Sequence, residues 1–129
     1  MIEKVTLSIL PDSLAVCRLS PEEDVPDWAL MGEFVSITHT GDELSIVCAE
    51  DYVPPDVKAN RGWRALKVEG PLDLALTGIL ASLADPLAEA KINLFAISTF
   101  DTDYLLVKEY NLARACDVLR QAGHIVLVR

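Results

Sequence analysis

Basic charge is scarce in this sequence of 129 residues: 11 Lys and Arg stand against 20 Asp and Glu, a formal net charge of −9. Such a chain repels the phosphate backbone whose neutralisation drives nucleic-acid binding, and it repels an anionic membrane surface. Neither nucleic acid nor membrane is expected as a partner. Long apolar runs are missing too. Charges, glycine or proline interrupt every stretch before the roughly 18 residues that a membrane span needs, although 51% of the residues are hydrophobic. Met1-Ile2-Glu3-Lys4 lacks a basic region followed by an apolar core, so no signal peptide is read and a cytoplasmic location is expected.

Cysteine is rare. Cys17, Cys48 and Cys116 are odd in number, widely spaced and set in apolar runs, which is neither a metal nor a redox spacing. Buried, inert thiols are expected. His39 and His124 have no Cys, His or carboxylate partner at ligand spacing, so both are expected at the surface or at a strand end. No metal and no cofactor is expected. Catalytic motifs are absent as well: there is no Gly-x-Ser-x-Gly, no Cys-His pair at a motif spacing, no Gly-x-Gly-x-x-Gly and no P-loop. Asp101 and Asp103 read as turn formers rather than a catalytic dyad. The chain is not expected to be an enzyme.

The second half of the chain has a clear pattern. Trp63 to Glu69 alternates with period 2, a strand that Gly70-Pro71 ends. Leu72, Leu76, Ile79, Leu80, Leu83, Leu87 and Ala90 then recur at spacings of three and four, which predicts a helix to about Lys91, capped by Asp73 or Thr77. Pro86 predicts a kink or restart in it. Ile92 to Phe100 and Tyr104 to Val107 flank the polar Asp101-Thr102-Asp103, a hairpin. Asn111 caps a second helix that Gly123 stops, and His124 to Val128 is a last strand. This β-α-β-β-α-β order is the ferredoxin-like arrangement.

Sliding the chain by 61 residues sets Phe34 on Phe95, Thr38 on Thr99, Asp42 on Asp103 and Asp56-Val57 on Asp117-Val118. A degenerate tandem repeat is read, with units 1–61 and 62–129. The first copy departs where a helix should stand: Ser13 to Ser20 reads as an extra strand, and Pro21 to Asp27 as a solvated acidic loop. Trp28 to Met31 reads as a short helical turn, Phe34 to Thr40 and Glu43 to Ala49 as a hairpin, and Pro54 to about Asn60 as the rest of a second helix. Residues 1–61 hold twelve acidic and four basic residues, so most of the net charge lies there.

One segment suits a ligand. Gly70-Pro71-Leu72-Asp73 joins a strand to a helix N-terminus, where free N–H groups and the positive dipole end favour a carboxylate. Spacing alone reads it equally well as an ordinary turn. Asp73, Asp101 and Asp103 can receive an ammonium or guanidinium group, and Ser98 and Thr99 can hydrogen-bond it. Anion donors beside cation acceptors suit a zwitterion.

The run from Leu87 to Thr99 (LAEAKINLFAIST) resembles the ACT-domain signature found in aspartokinase regulatory regions. Glu69-Gly70-Pro71-Leu72-Asp73, Thr77-Gly78-Ile79-Leu80-Ala81 and Ser98 to Tyr104 resemble a family of small tandem ACT proteins, itself similar to the arginine sensors of animal nutrient signalling. The resemblance implies an α+β fold: two ferredoxin-like (βαββαβ) ACT units side by side, the first degenerate, each an antiparallel sheet with helices on one face. It also implies an amino acid bound between ACT units. The pocket residues it carries over are Gly70, Leu72, Asp73, Thr77, Gly78, Ile79, Ser98, Thr99, Phe100, Asp101 and Asp103, and Asp103 matches the aspartate that takes a guanidinium in the arginine sensors. Those sensors have two such pairs of units and this chain has one, which leaves open a pocket completed by a second copy. A non-catalytic amino-acid-binding regulatory or sensor protein, a homodimer, is thus the expected function. The alternative is a structural interaction module that dimerises or docks on an enzyme without a ligand.

Overall fold

The computed structural model describes residues 4–70 and 78–128, and the chain divides into two compact units. One is discontinuous, Met1–Pro11 with Arg64–Arg129, and the other is Asp12–Trp63. Residues 1–11 therefore group with the second half of the chain, across the division at 61.

In the discontinuous unit, β1 (Thr6–Ile9), the 64–68 part of β5 (Ala59–Val68), β6 (Leu94–Ser98), β7 (Asp103–Lys108) and β8 (Ile125–Val128) lie in the order β6-β7-β5-β1-β8. The ferredoxin-like order read from residues 62–129 is present, but β1 is inserted between its first and last strands. It pairs antiparallel with β5, Leu7 opposite Val68, and parallel with β8, Leu7 opposite Val126. The pairing partners are far apart in sequence, so no local pattern announces it. Alternation then puts Leu7, Ile9, Leu66, Val68, Leu105, Val107 and Val126 on one face. Helices α1 (Ile79–Glu89) and α2 (Leu112–Gln121) cover that face with Ile79, Leu83, Leu87, Ala115, Cys116 and Leu119. Leu83, Leu87 and Leu119 are fully buried, worth about 2 kcal/mol apiece in area removed from water.

Both helices end in the same device. At α1, the Lys91 amide donates to the Ala88 carbonyl and the Ile92 amide to Leu87. At α2, Gly123 donates to Arg120 and His124 to Leu119, so each end is a Schellman cap with a left-handed residue. Gly123 meets that demand with φ 99°, whereas Lys91 meets it at φ 60° with a β-carbon that the conformation disfavours. The helix starts differ from expectation. Gly78 occupies the first cap of α1, and Asn111 precedes α2 without a side-chain capping bond. Asp73 and Thr77 lie outside the described residues.

Pro86 does not break α1, which runs through it as one helix. A proline there deprives the Ser82 carbonyl, four residues earlier, of its helical donor. His124 Nε2 replaces it at 3.0 Å, while Nδ1 of the same ring accepts the Val5 amide at 3.2 Å. A carbonyl only accepts and an amide only donates, so the ring is neutral with its proton on Nε2. His124 is thus at a strand end, as read, but it is 3% exposed rather than on the surface.

The Asp12–Trp63 unit has no α-helix. β2 (Leu14–Leu19), β3 (Ser36–His39) and β4 (Leu44–Ala49) follow β3-β4-β2-β5, and a 3₁₀ turn at Asp27–Leu30 takes the place of the first helix. Residues 54–60 are not helical. Pro54 and Pro55 lack donors, and Ala59 and Asn60 already belong to β5, opposite Cys17 and Val16. Ala15, Cys17, Leu44, Ile46 and Cys48 form this unit's core with Ala29 and Val53. All three thiols are free and buried, and burial, with Cys17 adding to it, pushes the Cys48 thiol up to about 12.

Two stability tests follow from the helix ends. Lys91→Gly removes the β-carbon from the left-handed position and raises stability by about 1 kcal/mol in chemical denaturation. His124→Phe leaves the Ser82 carbonyl and the Val5 amide unpaired and costs at least about 2 kcal/mol. Adding Pro86→Ala, which restores a helical donor to Ser82, recovers part of that loss; a double-mutant cycle with no coupling contradicts the account.

Candidate ligand-binding site at the second hairpin

Strands β6 and β7 pair from Leu94 opposite Val107 to Ser98 opposite Asp103, leaving the four-residue turn 99–102. Thr99 closes the turn twice over. Its amide donates to the Thr102 carbonyl at 2.8 Å, and its hydroxyl accepts the Thr102 amide at 3.3 Å. Thr102 is 4% exposed, and its hydroxyl donates to the Val68 carbonyl at 2.6 Å. That bond fixes the turn against the end of β5, two residues before Gly70. Beyond it, the Glu69 amide donates to Thr6 and the Glu69 carboxylate accepts the Ser8 hydroxyl.

The called-for polar groups are presented unequally. Ser98 Oγ donates to Asp103 Oδ1 at 2.5 Å, so the carboxylate is oriented across the ladder while Asp103 stays half-buried. Ser98, Thr99, Phe100 and Asp101 are exposed, Phe100 at 85%. A carboxylate held by one hydroxyl keeps acceptor capacity for an ammonium or guanidinium group. Gly78 is exposed at φ 83° and opens α1, whose first N–H groups have no intrahelical partner. The Ile79 side chain is core, 6% exposed. Leu72, Asp73 and Thr77 lie outside the described residues.

Of the predicted residues, the structure brings Ser98 and Asp103 together and places Gly70 just beyond the strand end that Thr102 holds. A cavity of about 490 Å³ begins at Gly78 and runs along α1 past Ser82, Asp85 and Glu89 to Ala122; the hairpin does not line it. Sequence reasoning missed Thr102. The Thr99-x-x-Thr102 spacing marks the turn but not the anchor, and it recurs in part at Thr40-Gly41-Asp42-Glu43. There the Thr40 amide donates to the Glu43 carbonyl at 3.0 Å and its hydroxyl accepts the Glu43 amide at 3.2 Å. In these hairpins His39 opposite Leu44 corresponds to Ser98 opposite Asp103, a correspondence of about 59 residues rather than 61.

Among the described residues no group of three His, Cys, Asp or Glu side chains is placed to hold a metal, and no helix is long and apolar enough to cross a membrane. A mixed α+β chain with two helices against a sheet, and a polar hairpin tied to a strand end, defines a ferredoxin-like class of domain. An ACT-domain family model matches residues 58–121, and the model of an N-terminal domain matches residues 12–56. The crystal structure of protein Atu0741 from Agrobacterium tumefaciens is 45% identical and superposes with a TM-score of 0.93, covering 98% of this chain and 95% of that one. The cytosolic arginine sensor for mTORC1 subunit 1 of Bos taurus is 30% identical over 109 residues, 70% of this chain and 33% of the sensor. The chain thus spans about a third of that curated relative. The regulatory subunit of aspartate kinase from Thermus flavus shares the fold, with a TM-score of 0.64 at 12% identity over 93% of this chain and 99% of that one. The chain carries an ACT domain, over residues 58–121.

Because Thr102 joins the turn to β5 through one buried hydroxyl, Thr102→Val leaves the Val68 carbonyl without its donor. Stability falls by about 1 to 3 kcal/mol, and amide exchange accelerates first at residues 98–103. Equal exchange in both proteins contradicts this role.

Proposed function

We propose that this chain binds a free amino acid, or a similar small zwitterion, and acts as a non-catalytic regulatory or sensor protein built from two ACT-like copies, 1–61 and 62–129. The observation that carries the reading is the Ser98–Asp103 pair on a hairpin anchored to the strand that leads to Gly70. The amino or guanidinium group lies against Asp103, and the α-carboxylate lies at the turn of Gly70, Leu72 and Asp73, toward the helix start at Thr77, Gly78 and Ile79. Ser98, Thr99, Phe100 and Asp101 complete the hairpin side. The kinship with a protein named as an arginine sensor supports an amino acid as the ligand. A cytoplasmic location and a homodimer belong to the same reading.

One observation favours the second reading, a ligand-independent interaction module. Strand β8 lies at the end of its sheet and exposes Ile125, Leu127 and Val128 at 57%, 49% and 81%, which is the kind of edge that pairs with another chain.

A thermal-shift screen of the twenty amino acids decides between them. A ligand at one hundred times its Kd adds about 2.7 kcal/mol of stability, so at least one amino acid raises Tm by several degrees, and Asp103→Asn cuts the shift by about half or more. Twenty flat responses, with sedimentation showing the same association in their presence and absence, overturn the sensor reading in favour of the module.

A further inference from the structure

We infer that each chain offers one ligand position, at hairpin 98–103, and that the matching hairpin 39–44 is closed to ligand by the chain's own side chains. The inference rests on the amino-acid-binding reading above. The two turns have the same hydrogen bonds, Thr40 to Glu43 in one and Thr99 to Thr102 in the other. What differs is what they present. Where hairpin 98–103 sets Ser98 against the Asp103 carboxylate, hairpin 39–44 sets His39 against Leu44. Leu44 is 2% exposed in an apolar core and offers no acceptor. His39 Nε2 lies 2.9 Å from the Pro21 carbonyl, so it is a donor already in use.

One carboxylate is retained, since Asp42 stands where Asp101 does. The Arg18 guanidinium, however, donates to the Asp42 carbonyl at 2.9 Å. An arriving ammonium group meets a resident cation. The adjoining cavity of about 280 Å³ repeats the theme, because Arg18 and Lys58 face it with Glu43 alone as counter-charge. Arg18 and Lys58 are exposed, and at contact distance like charge disfavours a cationic ligand there. Among the described residues, no Lys or Arg side chain donates to the Ser98–Asp103 pair.

The test is calorimetric titration of the intact chain with each of the twenty free L-amino acids, joined to amide chemical-shift mapping of the wild-type protein. The expected result is a stoichiometry of one per chain, shifts centred on residues 98–103, and binding at least about tenfold weaker in Asp103→Asn but unchanged in His39→Ala. A stoichiometry of two, or shifts centred on residues 39–44, overturns the single-site inference while leaving amino-acid binding intact. No heat with any amino acid overturns the binding reading itself, and this inference with it. The shift map keeps the outcome decisive should a variant fold poorly.

Discussion

Strand β8 reaches the sheet through β1, and β1 is held on both sides at once. Toward β5, the Leu10 amide donates to Ala65 and the Glu69 amide to Thr6; toward β8, the Ile125 amide donates to Val5. The same strand delivers Leu7 and Ile9 to the core under both helices. An N-terminal segment therefore supplies an interior strand, between β5 and the edge strand β8, in a sheet whose other strands come from residues 64–128. Without it, β5 and β8 would each face the gap with unpaired backbone groups, a cost that no side-chain contact offsets.

This insertion explains why His124 is buried. The residue before β8 must come close to Val5, because β8 runs parallel to β1 from that point. An imidazole there meets the Val5 amide on one nitrogen and, on the other, the carbonyl that Pro86 left open in α1. Proline in the helix and histidine at the strand are two halves of one accommodation: each alone would leave a buried polar group unsatisfied. Helix, N-terminal strand and C-terminal strand are thereby joined through a single ring.

Such long-range features mark the limit of what the sequence discloses. Strands with a local signal, the alternation of Trp63 to Glu69 or the apolar runs within Ser13 to Ser20 and at Tyr104 to Val107, were legible, as were the β6–β7 hairpin and the Gly123 stop, because each is decided by a few neighbouring residues. The helix read at 54–60 failed because Ala59 and Asn60 are claimed by pairing with β2, a tertiary demand stronger than local propensity. The restart read at Pro86 does not occur, since the donor that rescues Ser82 comes from a residue 42 positions away. Of the site, the polar residues of the hairpin were visible by type, and the resemblance to ACT proteins put them in a pocket. The anchoring role of Thr102 was not visible, because a threonine in a turn carries no mark of reaching a carbonyl on another strand.

The repeat illustrates the same limit from another side. An offset of 61 aligns residue types along most of the chain, yet the hairpins correspond at about 59, where hydrogen bonds rather than letters are matched. Thr38 and Thr99 are identical residues in different positions; Thr40 and Thr99 make the same turn. Matching by geometry moves Asp103 from a partner in Asp42 to one in Leu44, and this changes the chemistry assigned to each copy. An acceptor that looked duplicated is found once. A net charge of −9 adds nothing to that distinction, because screening confines exposed charge to about 8–10 Å; what separates the two hairpins is the serine and carboxylate across one ladder and the histidine and buried leucine across the other.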